Sequence, residues 1–251
     1  MNLDLMGKKA LVTGSSRGLG QGMAEALMEA GAETVIMSRS PAIYERADAY
    51  RVQGYLCHAI QTDLSTKEGV EQTYHKSKDV LQTSPDILVN AAGIQRRHLA
   101  SEFPYRDWRE VLFVNLDAVF LLCQMAGREM IQKRHGKIIN VASMMSFFGG
   151  VRIPAYAASK GGVTQLTKAL ANEWTELGIC VNAVAPGYMD TDMNEALIQD
   201  PVRNNEILSR IPAGRWGKPE DMKGITVFLA SEASDYISGA IIPIDGAYLA
   251  R

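Results

Sequence analysis

Lys9-Ala-Leu-Val-Thr-Gly-Ser-Ser-Arg-Gly-Leu-Gly20 reads as a short β-strand ending at Thr13, a tight turn, and the start of a helix. Helical spacing then runs from Gly18 to Ala30 and stops at Gly31, a residue type that favours helix C-termini. Gly14, Gly18 and Gly20, with Ser16, Arg17 and Leu19 among them, allow backbone N–H groups to approach a pyrophosphate drawn to the helix N-terminus. Tight strand-to-helix turns also need glycine for steric reasons, so the turn alone does not decide binding. Three residues separate Gly14 from Gly18 and one separates Gly18 from Gly20, which is not the common dinucleotide spacing.

The same alternation continues outward from this unit. Thr34–Met37, Tyr55–Ile60 and Asp86–Asn90 read as strands, followed by helices after Pro41, after Asp63 and from about Asp107. Lys137–Ala142, Ile179–Ala185 and Ile241–Ile244 complete the strands, with a helix from about Ala155 to Leu177. These strands are continuously apolar rather than alternating, which requires cover on both faces, and right-handed crossover helices supply it. The expected fold is α/β: a single domain over residues 1–251, built on a doubly wound parallel sheet of Rossmann type with helices on both faces. Residues 190–217 are less regular, carrying Pro201, Pro212, Gly214 and Gly217, and read as a substrate lid.

Composition narrows the functional classes. Hydrophobic residues make up 47% of the 251-residue chain and charged residues 22%, which is ordinary globular usage. A formal charge of -2 provides no field for holding nucleic acid or anionic lipid, so neither is an expected partner. Asp4, Lys8 and Lys9 interrupt the N-terminus, and no run approaches the roughly 20 apolar residues that span a bilayer. Cys57, Cys123 and Cys180 are widely spaced, as reduced thiols of a cytoplasmic protein would be, and the four histidines lack ligand spacing, so no metal site is expected.

Tyr156 and Lys160 lie four apart on a helix, so one face carries both, and an ammonium near a phenol favours phenolate and moves it toward working pH. Tyr74 and Lys78 have the same spacing, which reads there as a solvated face. Context separates the two pairs: Ser143 ends the strand before Tyr156, where open α/β sheets bind ligands, while Gln61 occupies the corresponding place before Tyr74. Ser38-Arg39, after the second strand, offers a hydroxyl and a guanidinium to a 2′-phosphate, and Arg17 can add a second cation, favouring NADP(H) over NAD(H). Arg39 could instead be a solvated loop arginine. Arg96 and Arg97 follow the fourth strand into the same cleft, where a guanidinium can clamp a substrate carboxylate. One or both could instead face solvent or a neighbouring subunit.

Taken in order, these motifs resemble the short-chain dehydrogenase/reductase family along almost the whole chain. The resemblance implies that Ser143 holds a substrate oxygen, Tyr156 moves its proton, Lys160 grips the nicotinamide ribose, and Asn115 completes a proton relay. It implies adenine contacts at Asp63 and Leu64, and a cofactor-binding turn at Asn90, Ala91 and Gly93, where Ala91 replaces the family's second asparagine. Pro186, Gly187, Met189 and Thr191 resemble the segment that orients the nicotinamide amide. Ser143-Met-Met-Ser146, Ala185-Pro-Gly-Tyr188 and Ile211–Gly217 resemble the sugar-acid branch, the gluconate 5-dehydrogenases, 2-deoxygluconate 3-dehydrogenases and 2-dehydro-3-deoxygluconate 5-dehydrogenases. That branch implies a sugar-acid substrate contacted by Met145 and Tyr188, and a homotetramer. Two alternatives are a 3-oxoacyl thioester reductase of the same family and a catalytically silent nucleotide-binding sensor.

Overall fold

The computed structural model describes residues 3–250, so the ends of the expected domain, residues 1, 2 and 251, lie outside the described residues. Seven strands form one sheet: β1 (Lys9–Thr13), β2 (Glu33–Ser38), β3 (Cys57–Gln61), β4 (Ile87–Asn90), β5 (Gly136–Val141), β6 (Ile179–Pro186) and β7 (Ile241–Ile244). Their order is β3-β2-β1-β4-β5-β6-β7, and every adjacent pair is parallel. Thr13 of β1 stands level with Met37 on one side and Asn90 on the other. The strand order reverses between β1 and β4, where a parallel sheet opens a crevice at its carboxyl ends.

The continuously apolar strands are explained by the two layers that cover them. Ala10, Val12, Ile36, Ile87 and Val89 face one layer, with Met23 and Leu27 of α1 (Gly18–Glu29), Ile43 and Ala47 of α2 (Ala42–Val52) and a later helix. Leu11, Val35, Met37, Leu88 and Ile138 face the other, formed by α3 (Lys67–Leu81), α5 (Ala118–Lys133) and α6 (Pro154–Trp174). All these strand residues are buried, and a fully buried side chain of this size contributes about 1.5–3 kcal/mol.

Three local results depart from the sequence reading. The helix expected from Asp107 begins after Pro104 as α4 (Tyr105–Leu112), and a π-helical turn, Phe113–Asp117, joins it to α5. The continuous helical stretch Tyr105–Lys133 is, by length and apolar composition alone, sufficient to cross a bilayer. Val111, Val119, Leu122, Cys123 and Met130 are nevertheless buried, those of α5 against the sheet and α6, so this is a core helix of the fold. Second, residues 190–217 are not irregular throughout. They contain α7 (Glu195–Ile198) and α8 (Pro201–Leu208), the latter started by Asp200, whose carboxylate accepts from the N–H groups of Val202 and Arg203. A ninth helix, α9 (Lys223–Ala230), follows and packs beside α1. Third, Tyr74 is not solvated: it lies buried in the second layer, and desolvation pushes its phenol well above the usual range. Lys78 ion-pairs with Glu129 of α5 at 2.6 Å.

Candidate active site

The crevice at the carboxyl ends of β1–β6 is a cleft of about 680 Å³. Its lining begins at Ser38, Arg39 and Asp63 beyond β2 and β3, passes the turn Gly14–Gly20, and reaches Ser143, Tyr156 and Pro186 beyond β5 and β6. The turn is held from beneath by residues that the sequence reading passed over. Thr13 Oγ1 accepts from the N–H groups of Ala91 and Ala92, each at 3.2 Å, and buried Ser15 donates to Val12 O and accepts from Met37 N. These bonds lock the turn to β2 and β4. Gly14 takes φ +65° and passes so close to Ala92 that a Cβ would come within 2.6 Å of its Cα.

The cleft has features that suit a dinucleotide. Helix α1 starts there without a side-chain cap and without an acidic residue in its first turn, so its free N–H groups and positive dipole end face the cleft. Arg39 is exposed and, among the described residues, pairs with no carboxylate. Ser38 Oγ accepts from Ser40 N at 3.0 Å, which fixes the loop that carries Arg39. Arg17 is less free than the sequence implied, because it reaches across the cleft mouth to Asp192 at 2.8 Å. Asp63 folds into a turn by accepting from Ser65 N, and Leu64, Ala91, Gly93, Gly187, Met189 and Thr191 line the same space.

Asn90 does not line it. Its side chain lies in the sheet interior, donating to Asn140 Oδ1 at 2.9 Å and lying 3.3 Å from Cys123 Sγ. It therefore braces β4 against β5, and of the three residues expected at this turn only Ala91 and Gly93 line the cleft. The three cysteines are all buried free thiols.

At the far end, Ser143 is extended at the start of a short 3-10 turn, its Oγ accepting from Met145 N at 3.2 Å. The Ser143 hydroxyl lies beside the Tyr156 phenol and favours its ionised form. Lys160 Nζ lies 5.8 Å from the centroid of the Tyr156 ring and donates to Val141 O at 2.6 Å. Asn115, in the π-helical turn, is fully buried. It accepts from Ile94 N at 2.8 Å and donates to Ile94 O at 3.0 Å and Ser159 Oγ at 3.1 Å, which pins the strand-end loop carrying Gly93 and Arg96. A π-turn widens the helix locally and re-aims one side chain, and here that side chain is Asn115. Nothing in the local sequence announces it.

One electrostatic expectation is reversed. The nearby ammonium was expected to lower the Tyr156 phenol, yet burial pushes it up, and only the Ser143 hydroxyl opposes that rise. Lys160 is itself pushed down to about 8 by burial. Its charge sits behind the ring with a donor committed to Val141, so the protein alone holds Tyr156 as a neutral acid. Protonated Tyr156 and charged Lys160 coexist through neutral pH. A proton transfer from Tyr156 to a bound oxygen should accordingly run at a level rate near pH 7 and slow as pH rises through about 8, where Lys160 loses its proton. A profile level to pH 10 would contradict this assignment.

The residues read as substrate contacts divide. Arg96 and Arg97 line the cleft, but Arg96 is forked onto Glu110 of α4, with Nε at 3.1 Å and Nη2 at 2.9 Å from its carboxylate oxygens. Met145 packs into a third apolar cluster below the lid. Tyr188 belongs to an aromatic group with Trp216 and Tyr248, centroids 5.5 Å apart in each case, and lines a smaller cavity of about 320 Å³ beside α8. Neither side chain is part of the main cleft wall. Cleft-lining Asp192, Met193 and Asn194 come instead from the lid, and Glu110 from α4; none of these carries a motif.

Comparison with known proteins agrees with this geometry. A family model described as short chain dehydrogenase matches residues 8–201. A 2-dehydro-3-deoxy-D-gluconate 5-dehydrogenase of Bacillus subtilis is 47% identical over 247 residues, spanning 98% of this chain and 96% of the relative. Among solved structures, a putative 2-deoxy-D-gluconate 3-dehydrogenase from Agrobacterium tumefaciens with bound NADP superposes with a TM-score of 0.93 at 47% identity, covering 100% of this chain and 99% of that one. A gluconate 5-dehydrogenase from Burkholderia cenocepacia in complex with NADP and tartrate superposes with a TM-score of 0.94 at 39% identity, covering 100% and 98%.

Proposed function

The chain belongs to the short-chain dehydrogenase family and is an NAD(P)-dependent oxidoreductase, and from that premise we propose that it interconverts a secondary hydroxyl and a ketone on a six-carbon sugar acid of the gluconate class. The observation that carries the reading is a single cleft joining the uncapped start of α1 to Ser143, Tyr156 and Lys160, with cationic residues beside them. Relatives named for gluconate-type acids and a neighbour holding tartrate, a hydroxy acid, support the substrate class.

When bound, the nicotinamide supplies the hydride acceptor or donor. The protein's part is to place and charge-balance the reacting oxygen. In this reading Ser143 donates a hydrogen bond to that oxygen, and Tyr156 delivers its proton in reduction or removes it in oxidation. Lys160, its Nζ 5.8 Å from the Tyr156 ring centroid, would hold the cofactor ribose with the donors not committed to Val141. Asn115 fixes the loop that forms the roof of the site. The lid, residues 190–217, closes over the substrate and excludes water, with Asp192 clasping Arg17 at its edge.

NADP(H) is the preferred cofactor in this reading, because Arg39 stands beside the cleft without an acidic partner and no carboxylate ends β2 to repel a 2′-phosphate. Arg39→Ala should raise KM for NADP by about tenfold or more while moving KM for NAD less than about twofold. Equal losses for both cofactors would remove the assignment.

We extend the proposal to a cytoplasmic homotetramer. Three buried free thiols suit a reducing compartment. Phe120 on α5 is 41% exposed and a Cβ at Gly161 of α6 would meet nothing within 4 Å, so each of the two helices leaves a position open to a second copy. The deciding experiment is turnover of gluconate, 2-deoxygluconate and 2-dehydro-3-deoxygluconate with each cofactor. Activity on one of them supports the reading, whereas silence with robust acetoacetyl-thioester reduction replaces it by the acyl alternative.

A further inference from the structure

The two adjacent arginines at the substrate end are not equivalent. Arg96 is half-buried, its Nε and Nη2 are forked onto Glu110, and Nη1 donates to Gln95 O at 3.3 Å. Arg97 is exposed on the cleft wall and, among the described residues, has neither an ion pair nor a side-chain hydrogen bond. A guanidinium whose charge is already balanced by a carboxylate offers little to a second carboxylate, which would also meet the repulsion of Glu110. Arg97 carries no such penalty.

The Arg96–Glu110 pair still offers something to a substrate. Glu110 is half-buried on α4 and lines the cleft, so its oxygens present unused lone pairs beside the remaining Arg96 donors. Donors and acceptors fixed side by side match a hydroxyl, which both gives and accepts a hydrogen bond, and match a row of hydroxyls best. We propose that Glu110 is a specificity-determining residue: with Arg96 it reads the hydroxyls of the substrate chain, leaving Arg97 to take the carboxylate. This rests on the sugar-acid reading and deepens it, replacing a two-arginine clamp by a divided site. Like-for-like fork geometry would also make Arg96 a poor carboxylate ligand in the free enzyme, because Glu110 must first be displaced.

Binding to the NADP complex, measured by calorimetry, tests the division with three probes: gluconate, its carboxylate-free counterpart sorbitol, and hydroxyl-free hexanoate. Glu110→Gln should weaken gluconate and sorbitol by about tenfold and leave hexanoate unchanged or tighter. Arg97→Gln should weaken gluconate and hexanoate by about tenfold and spare sorbitol. In turnover, Glu110→Gln should raise KM for the sugar acid and leave kcat within about twofold, a split that disruption of the fold would not give. NADP affinity within about twofold of wild type in each variant, with partial recovery of sorbitol affinity in Glu110→Asp, checks that the cleft is intact. Parallel losses of sorbitol and hexanoate in either variant, or loss of hexanoate on removing Arg96 and not Arg97, would overturn the proposal. If wild type turns over no sugar acid yet the probes partition as stated, the substrate reading fails and the division stands.

Discussion

Tyr156→Phe should lower kcat by about 10³-fold, with the cofactor dissociation constant within about twofold of wild type. The change removes one oxygen from a side chain that stays in place, so the ring's packing is kept and only the proton is lost. Burial holds the wild-type phenol protonated, and in the variant Ser143 and Lys160 remain in place without the phenol's proton between them. The size of the loss reports general acid/base catalysis specifically: an oxygen that merely oriented the substrate would chiefly raise KM. Stopped-flow absorbance of the reduced nicotinamide would measure the chemical step directly, and a variant retaining more than about a tenth of wild-type kcat would dismiss Tyr156 as the acid.

Gly14→Ala should cost the fold about 3 kcal/mol and abolish measurable cofactor binding. Two causes add. The backbone has φ +65°, a left-handed conformation that strains any residue with a Cβ, and that Cβ would lie 2.6 Å from Ala92 Cα, which is backbone and cannot turn aside. The strain must push the phosphate turn away from β4, separating Thr13 from the N–H groups of Ala91 and Ala92. Gly224→Ala is the control: a Cβ there meets nothing within 4 Å at the start of α9, and it should be neutral or stabilising by up to about 1 kcal/mol. Thermal melts of both variants against wild type would check the pair, and equal melting temperatures for Gly14→Ala and wild type would refute the close-contact argument.

The fold was legible because the information is local in a parallel sheet covered twice. Val12, Val35, Val89 and Ile138 sit in apolar runs that need no partner's identity to be recognised, and glycine or proline punctuates most of the helices between them. The expected strands accordingly meet the observed ones within about two residues. What escaped is set by long-range contacts. Helix α8 had its Asp200-Pro201 start signal in plain view, but the surrounding prolines and glycines read as loop. Helix α9 earned no notice because its buried face is fixed by α1, almost two hundred residues earlier in the chain. In the site, the strand-end position of Ser143 and the i,i+4 pair Tyr156 and Lys160 marked residues that the structure brings to one cleft, while the roles expected of them came from the family resemblance. The inward turn of Asn90, the fork of Glu110 on Arg96 and the burial of Tyr74 could not be read, since each depends on which side chain from a distant element lies opposite.

The strand order has a consequence for biosynthesis. Because β1 lies between β2 and β4, a nascent chain that has completed β1, β2 and β3 has only one side of β1 paired. The other side, Ala10 to Thr13, waits for Ile87–Asn90, and α1 and α2 cover only one face until α3 and α5 arrive. Through that interval of synthesis the ribosome carries a sticky half-sheet whose open margin is the future floor of the cofactor cleft. The same seam that creates the binding crevice is therefore the last internal joint of the sheet's first half to close and the point where a stalled or truncated chain is most exposed to aggregation.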